Sequence, residues 1–328
     1  MAAGKPVAGS DDARRQQRAA RLAALSAVIE TFRPAAPGGK AALIRGRDLS
    51  MAAICDVPAA RQASGQAPSQ AASACMPLVP AWGLGAPEVD RMLGQEGLAV
   101  GGVHEIKPVL TAGGLHAADR AAALLFALLL ARRRLDGLAR LPAAAGPSSI
   151  LWCARQSDLK EFGRLHMPGL AALGIASEGF VFVETSSRED TLWAIEQGMM
   201  SGALAMVVGL VDDVGLTPAR RLSLVAERTA TPCLLLTPPR SMPVASVATR
   251  WRLGRARAGP HPFDPRAPGA ARLAITLERC LSRPLAAAAP AFTLEWSDET
   301  HRFHMAAGVA DRADAPVASR GIASRRVA

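Results

Sequence analysis

The chain has 328 residues, of which 50% are hydrophobic, so it can bury one sizeable core or two small ones, and disorder throughout is excluded. It carries 38 basic residues against 28 acidic ones, and only four of the basic residues are lysines. The formal net charge of +10 at pH 7 favours an anionic partner such as nucleic acid. The five cysteines are scattered without C-x-x-C spacing, so we expect reduced thiols and no metal.

The first 75 residues predict a helix followed by a linker. Within residues 14–32, apolar side chains recur at three- and four-residue steps behind a cluster of arginines, which predicts an amphipathic helix with a basic start in the segment 1–33. This helix either docks a partner or DNA, or packs on its own domain. Residues 34–75 are dominated by Ala, Pro, Gly, Ser and Gln, so we expect a mobile linker there.

The sequence predicts a cytoplasmic protein. The longest apolar run, residues 121–131, is far shorter than the ~20 residues that cross a bilayer, so we expect a buried helix. The N-terminus has no hydrophobic region followed by a cleavage site, and a signal peptide is therefore not expected.

Residues 76–306 alternate short apolar runs with helical segments, the pattern of a mostly parallel sheet covered by helices on both faces. We predict strands at residues 149–153, 180–183, 204–210, 233–237, 271–278 and 292–296. One helix is predicted over residues 188–200, with Ser186 and Glu189 forming a capping box. A second helix is predicted to have Thr217 as its N-cap and Pro218 as its first residue. The fold class is α/β, and residues 307–328 are expected to be a disordered tail.

The start of this core, residues 82–106, resembles the entry segment of RecA-like recombinases, whose first core strand leads into a phosphate-binding loop. Such a loop surrounds phosphates with glycine N–H groups, and it supplies a lysine for the terminal phosphate and a hydroxyl for magnesium. Here Pro108, which has no N–H, stands at the first glycine position, and only Gly113 is retained. Gly114 replaces the lysine and Leu115 the hydroxyl residue, so we predict a RecA-like sheet with a degenerate loop.

The other catalytic positions of that family are altered as well. Arg155 and Gln156 follow the strand that ends in the family's water-activating glutamate. Gly209 stands at the position of the metal-orienting aspartate. Asp212 and Asp213 lie just beyond it, and they are either a displaced substitute or part of the next loop. We therefore expect no hydrolysis, no cofactor and no enzymatic activity.

A RecA-like core without these residues resembles the ImuA family of bacterial damage-inducible mutagenesis cassettes. The similarity extends through residues 187–194, 203–209 and 217–222, and it spans residues 82–304. The resemblance implies an accessory role in translesion synthesis beside two partners, an ImuB-like inactive Y-family polymerase and a DnaE2-like error-prone polymerase.

Two other functions remain open. One is a divergent, DNA-dependent ATPase in which Lys107 and Asp212 replace the missing groups. The other is an SOS-induced cell-division inhibitor, which no residue of the chain positively supports. A metal site at His301 and His304 is not expected, because residues three apart on a strand face opposite sides.

A basic segment after the fourth of these strands is a candidate for contact with single-stranded DNA. Its arginines include Arg240, Arg250 and Arg252, and no acidic residue lies between Arg240 and His261. Residues 250 and 252 share one face of a strand, so with Arg240 they could contact phosphates without regard to sequence. The alternative is a solvated strand edge that its charges keep from aggregating.

Overall fold

The computed structural model describes residues 42–45, 82–94, 97–140, 147–261, 263–264, 266–283 and 290–306. The N-terminal helix predicted within residues 1–33 and the tail predicted over residues 307–328 lie outside these ranges. Most of the predicted linker does too. Its residues 42–45 form a strand, β1 (Ala42–Arg45), that pairs in parallel with a strand of the core.

One ten-stranded sheet organises the described residues, in the order β1-β4-β3-β5-β6-β2-β7-β8-β9-β10. The strands from β1 to β7 in that order are parallel, and β7 to β10 form an antiparallel extension. The strands after β1 are β2 (Val103–Pro108), β3 (Ser149–Arg155), β4 (Phe180–Thr185), β5 (Leu204–Leu210), β6 (Cys233–Leu236), β7 (Thr249–Arg255), β8 (Arg272–Cys280), β9 (Ala291–Ser297) and β10 (Arg302–Met305).

Helices cover both faces of the parallel part. They are α1 (Pro87–Met92), α2 (Ala117–Ala139), α3 (Gln156–Phe162), α4 (Met167–Ala172), α5 (Arg188–Met200) and α6 (Leu216–Thr229). The long helix α2 lies on one face and buries Phe126 and Leu130 against strand residues such as Trp251. Helices α5 and α6 lie on the other face and form a second core with Leu151 and Val207. The described residues include no helix that could span a membrane.

The predicted strands and helices agree with this architecture, and the α/β class with a mostly parallel sheet is confirmed. All six predicted strands and the helix over residues 188–200 are present. The run 121–131 lies in helix α2 and is mainly buried, as expected.

Both predicted N-caps need correction, by one residue for α5 and by two residues for α6. Ser187, and not Ser186, is the N-cap of α5, because its Oγ accepts the backbone N–H of Asp190 at 3.1 Å. Ser186 Oγ instead donates to the Asp190 carboxylate at 3.0 Å. Helix α6 begins at Leu216 with Gly215 as its N-cap, so Thr217 and Pro218 are already inside the first turn.

Candidate functional site

A cleft of about 500 Å³ lies at the carboxyl ends of the parallel strands β2, β3, β5 and β6. Ligands of open α/β sheets bind outside the carboxyl ends of the strands, so this is where a nucleotide would be expected. Its lining combines apolar side chains with five charged ones, namely Arg120, Arg155, Asp158, Glu161 and Asp212.

The degenerate loop forms a tight turn beside this cleft. Pro108 is the last residue of β2, and the chain then folds so that Thr111 and Gly114 exchange both backbone hydrogen bonds, at 3.2 and 2.9 Å. Gly114 has a φ of 97°, a conformation that glycine adopts most readily. Because these two N–H groups bond within the turn, they are not aimed at a phosphate. Leu115 lies at the cleft with 39% of its surface exposed.

Lys107 is tied into a buried ion-pair network instead of the cleft. It is 1% exposed, and its Nζ donates to the Ser241 carbonyl at 2.6 Å and lies 3.4 Å from Glu105 Oε1. Glu105 also accepts hydrogen bonds from the Thr237 hydroxyl and the Val244 N–H, each at 3.1 Å. The network fastens the segment after β6 onto β2, and Lys107 is not among the residues that line the cleft.

Arg155 extends from the end of β3 into the cleft and contacts two carboxylates. Its guanidinium donates to both oxygens of Asp158, at 3.0 and 3.2 Å, and to Asp212 beyond β5. The hydrogen bond with Asp158 raises the pKa of Arg155 above its usual value, and the charge of Asp212 adds to the effect. Both carboxylates therefore already accept hydrogen bonds from a cationic side chain of the protein.

Gly209 does not face the cleft. A Cβ built at Gly209 would lie 2.2 Å from Cδ1 of Ile195 in helix α5, so a side chain at this position would point into the core on the other face. The cleft is reached instead by Leu210 and by Asp212. Asp212, which follows β5, lies at the cleft and is paired with Arg155.

Arg120 and Phe162 form a pair that the sequence did not indicate. The Arg120 guanidinium lies over the Phe162 ring, with its carbon 3.1 Å from the ring centroid. Burial lowers the pKa of Arg120, while Asp158, Glu161 and Asp212 act in the opposite direction. Its buried Nε has no hydrogen-bond partner among the described residues. The two residues lie 42 positions apart on α2 and α3, and neither helix carries a local signal for the contact.

This set of groups does not match the one that a bound triphosphate with Mg²⁺ needs. Carboxylates are the ligands with which a protein usually holds Mg²⁺ beside phosphates, and here the acids nearest the strand ends are paired with Arg155. Within the described ranges, no cluster of three or more His, Cys, Asp or Glu residues could hold a metal ion. The His301 ring stacks on the Trp296 ring, and its Nδ1 accepts a hydrogen bond from the Arg132 guanidinium at 3.0 Å.

The three arginines predicted to contact DNA have different surroundings. Arg240 is exposed in the turn after β6. Arg250 donates to Glu105 at 2.6 Å and to the Val244 carbonyl at 2.7 Å, and Arg252 pairs with Glu278 of β8. Two of the three therefore have carboxylate partners from strands distant in sequence, and the proposed DNA contact stays a prediction.

Known proteins similar to this chain were found by sequence and by structure. Two curated relatives, each named Protein ImuA and both from Caulobacter vibrioides, strains NA1000 and ATCC 19089, are 29% identical over 211 residues. The match covers 61% of this chain and 79% of each relative. No protein-family model matches the chain. A solved structure described as the RadB recombinase matches 69% of this chain and 100% of its own, with 14% identity and a TM-score of 0.42. The fold assignment rests on the sheet topology described above.

Proposed function

We propose that the chain is a member of the ImuA family, to whose two Caulobacter vibrioides proteins it is 29% identical over 211 residues, and that it serves as a non-catalytic accessory protein in SOS-induced, error-prone translesion DNA synthesis. Its RecA-like α/β core acts as a scaffold. In the cytoplasm it works with an inactive Y-family polymerase-like partner and an error-prone DnaE-type polymerase.

The observation that carries the non-catalytic part of the proposal is the position of the Arg155 guanidinium. It lies between Asp158 and Asp212 in the cleft where the parallel strands end. A fixed cation there repels Mg²⁺ and occupies the carboxylates that would otherwise ligate it. Hydrolysis of a triphosphate also requires a base that orients water, and a guanidinium cannot accept a proton.

The alternative of a divergent ATPase finds little support in the same contacts. That alternative needs Lys107 at the phosphates and Asp212 at the metal. Lys107 is buried against Ser241 and Glu105, and Asp212 is paired with Arg155. Both groups would have to leave these partners before ATP could bind.

Titration calorimetry with ATP and Mg²⁺ tests the proposal. We expect no heat of binding above the dilution control, and no phosphate release in a parallel hydrolysis assay. The matched variant is Asp212→Asn, whose side chain is half exposed and which should therefore fold. Micromolar binding by the wild type that this variant abolishes would favour the ATPase.

The accessory role is tested by purifying the intact protein from cells with damaged DNA. We expect the Y-family polymerase-like partner to copurify, and to do so equally with Asp212→Asn. If neither polymerase copurifies under any condition, the proposed role is wrong even when ATP does not bind.

A further inference from the structure

The outer face of helix α6 carries leucine and arginine in alternation at four-residue steps. We call this set, Leu216, Arg220, Leu224 and Arg228, the Leu–Arg stripe. Residues four apart lie on the same side of a helix, so the four side chains form one row about 18 Å long. Leu216 is 54% exposed and Leu224 is 66% exposed, and both arginines are exposed as well.

The stripe lies outside the core that holds α6 to its own domain. The opposite face of the helix does so by burying Ala219, Leu222, Val225 and Ala226 in the core. Leu216 and Leu224 lie outside that core, and a single exposed leucine would need no explanation. Two of them in line with two cations on one helix face form an organised amphipathic surface.

The charges of the stripe have no partners in the described part of the chain. Neither Arg220 nor Arg228 makes an ion pair or a side-chain hydrogen bond there. Arg221, on the adjacent side of the same helix, pairs with Glu196 of α5 at 2.6 Å. The one acidic residue of α6 is the exposed Glu227, so the helix presents a net positive face.

From these observations we propose that the Leu–Arg stripe docks an acidic amphipathic helix of another protein. Apolar side chains of that helix would pack on Leu216 and Leu224, and its flanking carboxylates would pair with Arg220 and Arg228. Such a surface is independent of the cleft, since none of the four residues lines it. The inference therefore does not rest on the absence of hydrolysis.

Charge complementarity excludes the long segments of this chain outside the described residues as occupants. Residues 1–41 contain seven basic and three acidic residues, residues 46–81 two of each, and residues 307–328 four basic and two acidic. None of these stretches has an excess of acid. A second copy of the chain docked stripe against stripe would bring two positively charged helix faces together, which like charges oppose.

Fluorescence anisotropy with the full chain and two synthetic peptides tests the proposal. The first peptide is a labelled helix of roughly 20 residues with leucine at every third or fourth position and glutamate on the flanks. The second has lysine in place of each glutamate. We expect the acidic peptide to bind with micromolar affinity that weakens as salt is raised, and the basic peptide not to bind.

Two double variants locate the binding site. Arg220→Glu with Arg228→Glu should weaken the acidic peptide by more than about tenfold and allow the basic peptide to bind. Leu216→Ser with Leu224→Ser should weaken the acidic peptide by about tenfold at any salt concentration. The matched control is Arg257→Glu with Arg266→Glu, which changes the charge equally at exposed positions on another part of the surface.

All variants replace exposed side chains, so thermal unfolding should show that each one folds. The proposal is overturned if both peptides bind alike, if the control variant loses as much affinity as the stripe variants, or if the stripe variants bind normally. Dimerisation of the wild type that Leu216→Ser with Leu224→Ser abolishes would assign the stripe to a second copy and would also overturn it.

Discussion

His104 shows how one buried residue of β2 joins three parts of the core. Its Nε2–H donates to the Ala99 carbonyl at 2.9 Å, so its Nδ1 is the acceptor that faces the Thr249 hydroxyl at 2.8 Å. Thr249 in turn accepts the indole N–H of Trp251 at 2.7 Å. The neutral imidazole thus completes a hydrogen-bond chain from β7 to the turn before β2.

This arrangement predicts that stability falls in mild acid. Burial lowers the pKa of His104 from 6.5 to about 4, so between these values the unfolded chain binds a proton that the folded chain does not. The free energy of unfolding should therefore increase as the pH is raised from about 4 to 6.5. The total change over this interval should be about 3 kcal/mol. Urea unfolding at a series of pH values measures the slope.

The variant His104→Gln separates this contribution from those of other groups. It should be less stable than the wild type at pH 7, because Gln cannot reproduce both hydrogen bonds. Its stability should change less with pH between 4 and 6.5. An unchanged pH slope in the variant would show that His104 is not responsible.

Two helical glycines, Gly198 of α5 and Gly137 of α2, have different surroundings. A Cβ at Gly198 of α5 would lie 2.3 Å from a methyl carbon of Leu151 in β3. The Leu151 side chain is fully buried. Gly137 of α2 is exposed, and a Cβ there would meet nothing within 4 Å. The same substitution at the two sites therefore has opposite consequences.

We predict that Gly198→Ala destabilises the protein by about 1–3 kcal/mol, because the added methyl group has no space in a packed core. Gly137→Ala should stabilise it by about 0.5–1 kcal/mol through the higher helix propensity of alanine. Denaturant unfolding of both variants beside the wild type gives the two differences. Equal effects of the two substitutions would mean that helix propensity alone governs them.

At the scale of the whole molecule, two buried thiols report on the integrity of the sheet. Cys153 of β3 and Cys233 of β6 are fully buried in the core beneath α5 and α6. Burial raises the pKa of both thiols, so neither the thiolate nor a route for a reagent is present in the folded protein. The two residues lie on separate strands of a continuous sheet, which should open as one unit.

We predict that alkylation of Cys153 and Cys233 requires global unfolding. In pulsed labelling followed by mass spectrometry, both should become reactive at the same denaturant concentration as the loss of helical circular dichroism. Protein in concentrated guanidinium chloride supplies the fully reactive reference. Rapid labelling of either thiol without denaturant would show that its strand opens locally.

Much of the fold could be predicted from the sequence because its signals are local. Apolar runs such as residues 204–210 are sufficient to predict strands that are buried on both faces, and the loss of the lysine and hydroxyl at Gly114 and Leu115 is visible without coordinates. The N-caps were wrong by one residue for α5 and by two for α6, because neighbouring residues such as Ser186 and Ser187 could each take the cap position.

The sequence by itself therefore determined the α/β class, most of the strands and the missing chemistry of the loop. Only the tertiary structure decided which charges meet. Glu105 reaches Arg250, which is 145 positions away, and Arg155 reaches Asp212, which is 57 positions away. These contacts depend on the strand order, which places β2 beside β7 and β3 beside β5. Strand order is set by packing of the complete core, and no local pattern of residues records it.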